Sequence, residues 1–229
     1  AQEMLRDKRF SVDDRKYPIA EKRRKEFKKA GREIMLEQFE NPSMLKLDPP
    51  DHSRIRKLVQ YGFTNRYITS LEPEIKKIVE DCLDKVHNQD SFDLIEDLAK
   101  PLPAIVIAKM MGLPNEDLDQ FQAWSEDLLV GVGGIGTSRE DIKKSGDAYE
   151  ALINYFEKII LSRKNSPGDD FIGKLIQAEE EGDKLNIKEM YGTCLLLLIA
   201  GHETTTRLIG NGIFTCLLYT SPSPRDKSS

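Results

Sequence analysis

Residues Ala200-Gly201-His202-Glu203-Thr204-Thr205 set a carboxyl beside an alcohol directly after seven apolar residues, Cys194 to Ala200. The chemistry this pairing suits is proton delivery. A glutamate passes a proton from solvent, and the neighbouring hydroxyl holds the ligand or water that receives it. Gly201 has no side chain, so something bulky can lie against the backbone there. The Thr204 hydroxyl can bond back to a carbonyl one turn earlier, which predicts a local opening of the helix and a pocket beside it. The same residues also read as a core helix with back-bonded threonines and a glutamate reaching outward. Either way the stretch is costly. Glycine loses about 1 kcal/mol against alanine inside a helix, and a buried carboxylate costs more unless paired or protonated. Breaks of this kind are expected at functional or strained sites.

A second constellation lies in Leu47-Asp-Pro-Pro-Asp-His-Ser-Arg-Ile-Arg56. The two prolines stop any preceding structure, and Asp51 is a natural N-cap for a helix starting near His52. His52 and Arg56 are four apart and share one face. Together they make a donor pair suited to a carboxylate or phosphate. A capped surface helix with a solvated basic face is the alternative. Arg54 and Lys57 add positive charge nearby.

The elements that must position these groups are helical. At 229 residues, 39% hydrophobic and 32% charged, the chain is globular in composition, and its net charge of −5 gives no pointer to nucleic acid. Basic residues crowd the first 32, yet they alternate with glutamates at helical spacing, as a solvated face does. No aromatic interleaving supports nucleic-acid binding. The longest apolar run falls far short of the ~20 residues that cross a bilayer, so no membrane association is expected. Cys82, Cys194 and Cys216 have no framework spacing, two lie in apolar helical patterns, and they read as free buried thiols in a reducing cytoplasm.

Apolar periodicity predicts helices near Ile19 to Phe39, from Pro73 to Val86, from Pro101 to Met111, from Glu116 to Leu129, through Tyr149 to Ile160, and from Phe171 to Glu181. Thr64 and Asn186 read as caps, the latter for the central helix. Met4 to Ser11 reads as a helix end leading into a loop, and the Gly131–Gly136 run as a flexible loop. That run is no dinucleotide fingerprint, because no strand precedes it. No convincing strand, repeat or metal-spaced cluster is found, and the fold class expected is all-α.

Leu197-Leu-Ile-Ala-Gly-His-Glu-Thr-Thr205 resembles the central distal helix of bacterial cytochrome P-450 enzymes, the haem-thiolate monooxygenases, whose motif is small residue, Gly, any residue, acid, Thr. Asp48-Pro-Pro-Asp-His followed by Arg56 resembles the same family's haem-propionate helix. The resemblance implies that Glu203 is the acid and Thr204 the alcohol of proton delivery to dioxygen, with Ala200 and Gly201 lining the oxygen groove. It implies that His52 and Arg56 bind a propionate of heme b. It further implies hydroxylation of a small organic substrate, with electrons from a ferredoxin or flavodoxin-type partner.

The resemblance covers Met4 to about Leu218. The expected domain is an incomplete 1–218, followed by a polar tail, 219–229, that reads as artefact rather than evolved structure. The family's Glu-x-x-Arg helix, its cysteine ligand and most of its sheet are not found. Glu21-Lys-Arg-Arg24 fits the first pattern by chance, and none of the three cysteines has the ligand's glycine-rich setting. The chain as written is therefore expected to be inactive, for want of a thiolate. The competing readings are a non-enzymatic helical binding module and a haem carrier using His52 or His202 as axial ligand.

Overall fold

Two glycines with positive φ, Gly31 at 66° and Gly112 at 68°, stop helices that their sequences would otherwise continue. The computed structural model describes residue 7 and residues 9–130, 138–178 and 182–220, the side chains of Ile34 and Thr220 excepted. Among them the elements run α1 (Ala20–Lys29), α2 (Glu33–Glu40), α3 (Asp51–Gln60), α4 (Asn65–Ser70) and α5 (Glu72–Asp84). Then come α6 (Pro101–Met110), α7 (Leu118–Val130), α8 (Arg139–Arg163), α9 (Phe171–Gln177) and α10 (Ile187–Thr220). Short 3₁₀ turns join several of them, and Ile95–Ala99 forms one π-type turn before α6. No extended strand occurs among the described residues, as the apolar periods predict.

The single helix expected near Ile19 to Phe39 is two, because Gly31 adopts the left-handed conformation between α1 and α2. The helix expected to reach Glu181 ends as α9 at Gln177. Asp51 is not the cap of α3. It is the first helical residue, Pro50 holds the cap position, and no side chain caps the end. Asp48 instead accepts from Ser11 Oγ at 2.5 Å, from the Val12 amide at 3.0 Å and from Lys16 Nζ at 2.7 Å, tying the N-terminal segment to the start of α3. The cap at Asn186 is as expected. Its Oδ1 accepts from the amides of Lys188 and Glu189, while Glu189 accepts from the Asn186 amide, a reciprocal box that opens α10. Met4 to Lys8, apart from Asp7, and the glycine run after Val130 lie outside the described residues.

α10 is the axis. Tyr191, Cys194, Leu195 and Leu198 are buried along it and pack with Ile55, Leu58 and Val59 of α3, Phe121 and Leu128 of α7, and Leu152 and Phe156 of α8. Phe121 meets Phe156 edge-on with ring centroids 6.2 Å apart. Burial on this scale supplies most of the fold's driving force, at about 25 cal/mol per Å² of apolar area. Cys82 and Cys194 are buried free thiols and Cys216 is exposed. Burial pushes the Cys194 thiol up to about 12, so it stays protonated.

Two arginines fasten the ends of this core. Arg54 of α3 bonds Asp183 at 3.3 Å and also Glu189, so it braces α3 against the first turn of α10. Arg163 of α8 donates to the carbonyls of Met111 and Gly112 and pairs with Asp170 at 3.0 Å.

Candidate active site

The Cys194–Ala200 run predicts a helix buried all round, but burial along α10 ends at His202. Ala200 and Thr204 are exposed, and beyond Arg207 the helix is largely uncovered, with Leu208 72% exposed. The helix does not open at Thr204. Its hydroxyl donates to the Ala200 carbonyl at 2.5 Å, and Thr206 does the same to His202 at 3.0 Å, while the helical pattern continues unbroken to Thr220. The threonines are back-bonded without creating a gap. What they leave is a bare face, because Ala200 and Thr204 stack one turn apart with nothing larger than a threonine between them. A flat macrocycle would have room against the helix at Ala200 and Thr204, whereas Gly201 faces the neighbouring helix.

Gly201 backs onto α6. A Cβ there would come within 3.0 Å of Ile107 Cδ1, so the glycine sets how closely α10 approaches α6. Glu203 points to the other side of the bare face. It pairs with Arg207 one turn on and lines a cleft of about 400 Å³ together with Lys100, Glu126, Asp127, Lys144 and His202. The acid therefore borders a solvent-filled cleft whose lining does not include Thr204, its neighbour along the helix.

His202 occupies the variable position of the motif, yet it is its most buried polar group, 2% exposed. Nε2 lies 3.2 Å from the Lys100 carbonyl, and Nδ1 has no partner. Desolvation lowers its pKa, so the ring is neutral with Nε2 as the donor. A sequence signal did exist: residues 191, 195, 198 and 202 fall on one helical stripe, and the first three are apolar and buried.

His52 and Arg56 lie on α3, half-buried and exposed respectively, and neither side chain makes a hydrogen bond or ion pair among the described residues. Their donors are not engaged by any other described residue. The neighbouring Arg54 is not free, being held by Glu189 and Asp183. Arg24 of the chance Glu-x-x-Arg match turns to Glu40 at 2.6 Å, with Glu21 farther off at 3.8 Å. No cluster of three or more metal-ligating side chains occurs among the described residues, and no described helix is long and apolar enough to cross a membrane.

The described residues form an all-helical scaffold built on one long helix that carries a glycine, an acid and a threonine where its burial ends. The family model described as Cytochrome P450 matches residues 17–227. Cytochrome P450 CYP107DY1 of Priestia megaterium is 36% identical over 218 residues, covering 94% of this chain and 52% of that protein. Substrate-free CYP109E1 from Bacillus megaterium matches with a TM-score of 0.72 and 40% identity over 78% of this chain and 46% of that one. The same protein in complex with testosterone matches at 0.71, 40%, 78% and 47%. The chain belongs to the cytochrome P450 family, whose members are haem-iron monooxygenases. It spans about half the length of the curated relatives it matches.

Proposed function

We propose that this chain supplies the distal, oxygen-activating side of a monooxygenase that hydroxylates a small organic substrate. The observation that supports this best is the bare Ala200–Thr204 face, with the solvent-linked Glu203 beside it. In this reading Ala200 and Gly201 line the oxygen groove, Ala200 by keeping its exposed face small and Gly201 by letting α10 lie close to Ile107 of α6. The Thr204 hydroxyl, which at rest donates to the Ala200 carbonyl, rotates off it to be the last proton donor. Glu203, at the edge of the charged cleft, reloads it from water. His52 and Arg56, free of other partners, hold a haem propionate through charge-assisted hydrogen bonds. The haem, when bound, supplies the redox chemistry that dioxygen requires.

An apolar substrate accords with the testosterone bound by the CYP109E1 relative. A ferredoxin or flavodoxin-type partner provides electrons in the cytoplasm. The domain ends near Leu218 in this reading, with 219–229 outside it, although the family match runs on to residue 227. In this reading none of Cys82, Cys194 and Cys216 supplies the thiolate, two being buried and Cys216 lying on α10 itself, and the 229 residues alone are inactive.

The test is a hemin titration of the chain followed by a reduced carbon-monoxide spectrum, run beside the complete gene product. The complete enzyme gives the thiolate-type Soret band and the chain alone does not. A thiolate band from the chain alone overturns the inactivity, and none from the complete product overturns the monooxygenase reading.

A further inference from the structure

The cleft of about 400 Å³ lies where α7, α8 and α10 meet the turn before α6, and it is large enough for a small organic molecule. Its charges nearly cancel in pairs. Lys144 of α8 reaches Asp127 at 2.7 Å, Arg207 pairs with Glu203 along α10, and Lys100 pairs with Glu96. Glu126 is the carboxylate left over. It accepts from the Gln122 amide at 3.1 Å and meets no cation among the described residues. The three cations of the lining are thus each matched, and one negative charge remains.

An empty acceptor stands near that charge. The Lys100 carbonyl, 3.2 Å from His202 Nε2, can only accept, so the ring proton sits on Nε2 and Nδ1 carries a lone pair. Nδ1 has no partner, although His202 lines the cleft and is 2% exposed. Burial is the largest influence on the ring and keeps it neutral, while Glu126 acts on it more strongly than any other charge nearby, Glu203 included. Thr206 cannot fill the gap, since its hydroxyl already donates to the His202 carbonyl at 3.0 Å. Leaving a buried acceptor unmade is unfavourable, and in a native fold it points to a guest that donates to it.

We propose that this cleft binds a small primary ammonium ion, the protonated form of an alkylamine, which donates one N–H to His202 Nδ1 and another to the Glu126 carboxylate. The surplus negative charge repels an anion, and a quaternary cation brings no hydrogen for Nδ1. Leu129 and the 43% exposed Val130 give a short alkyl tail apolar surface to cover. The site rests on the fold and on the tautomer that Lys100 imposes, not on the monooxygenase reading, so the two stand or fall separately.

The experiment titrates n-butylammonium into the whole 229-residue chain near neutral pH at fixed ionic strength. Tetramethylammonium has the same charge without an N–H, and n-butanol the same chain without a charge. Binding is read by calorimetry and by the imidazole nitrogen signals of His202, identified by elimination with His52→Gln and His87→Gln. Butylammonium binds and moves the Nδ1 signal, whereas both comparison compounds bind at least about tenfold more weakly and leave it in place. Glu126→Gln, with helix content checked by circular dichroism, weakens butylammonium about fivefold. No butylammonium binding, equal binding of tetramethylammonium, an unmoved Nδ1 signal, or full affinity in the folded Glu126→Gln variant each overturns the proposal. If that variant does not fold, Glu126→Ala decides in its place.

Discussion

His202 Nε2 stands 3.2 Å from the carbonyl of Lys100, and this one bond joins the middle of α10 to the turn that begins α6. The residue between the motif's glycine and its acid is therefore a fixed point. It anchors the turn from which Glu203 and Thr204 project, and its other face borders the cleft lined by Lys100, Glu126, Asp127, Lys144, Glu203 and Arg207. Burial keeps the imidazole neutral in the fold.

That neutrality makes stability depend on pH. The folded pKa of His202 is lowered, whereas in the unfolded chain it titrates near ~6.5. Its unfolded form takes up a proton that the folded form resists, so stability is full above that pH and is lost as pH falls toward the folded pKa. Urea midpoints measured from about pH 7.5 down to about pH 5.5 fall more steeply for the wild type than for His202→Gln. Parallel profiles for the two would show that the imidazole is not the group responsible.

Arg54 and Arg56 are two residues apart on α3 and should behave as opposites. Arg54→Ala strips Glu189 and Asp183 of their partner and costs about 1–2 kcal/mol. Arg56→Ala touches no bond among the described residues and changes stability by less than about 0.5 kcal/mol. In the complete enzyme the order reverses, with haem lost faster from the Arg56 variant. Chemical unfolding and haem-transfer rates, measured on both variants, check the pair.

Gly173 is a purely structural glycine. A Cβ there would lie 1.9 Å from the Gly168 carbonyl oxygen, which is backbone and has no rotamer to yield. Gly173→Ala is expected to destabilise by about 2–3 kcal/mol, against a gain from helix propensity of at most about 1 kcal/mol. The urea midpoint of the variant reads this directly.

For the acid and the alcohol, stability and activity should separate. Glu203→Gln loses a half-exposed i, i+4 pair with Arg207, worth about 0.3–0.5 kcal/mol. Thr204→Ala removes an exposed hydroxyl whose acceptor is a helical carbonyl. Both variants of the 229-residue chain keep their helix content. In the complete enzyme, Glu203→Gln lowers turnover by roughly a hundredfold, and Thr204→Ala lowers product formed per electron consumed. Normal coupling in the threonine variant would remove that hydroxyl from the proton path.

Much of this was legible in the chain itself. Period-3.6 apolar spacing located the helices, Pro73 and Asn186 marked starts, and Gly112 marked an end, because local backbone chemistry acts over a few residues and is written there. The Gly-x-acid-Thr order and the His52–Arg56 spacing were equally local. Which faces are covered was not. Ala200 belongs to an apolar run but is exposed, since whether an apolar residue is buried depends on what packs against it. Asp48, Arg54 and Gln38 took their roles from residues distant in the chain: Ser11 and Lys16, Asp183 and Glu189, and Gly192. The sequence by itself determined that the described residues are helical and that an acid stands beside an alcohol on the longest helix. Tertiary packing alone decided that His202 is buried, that the Gln38 amide donor is left without an acceptor, and that the Ala200–Thr204 face lies open, because burial is a property of neighbours brought together by folding.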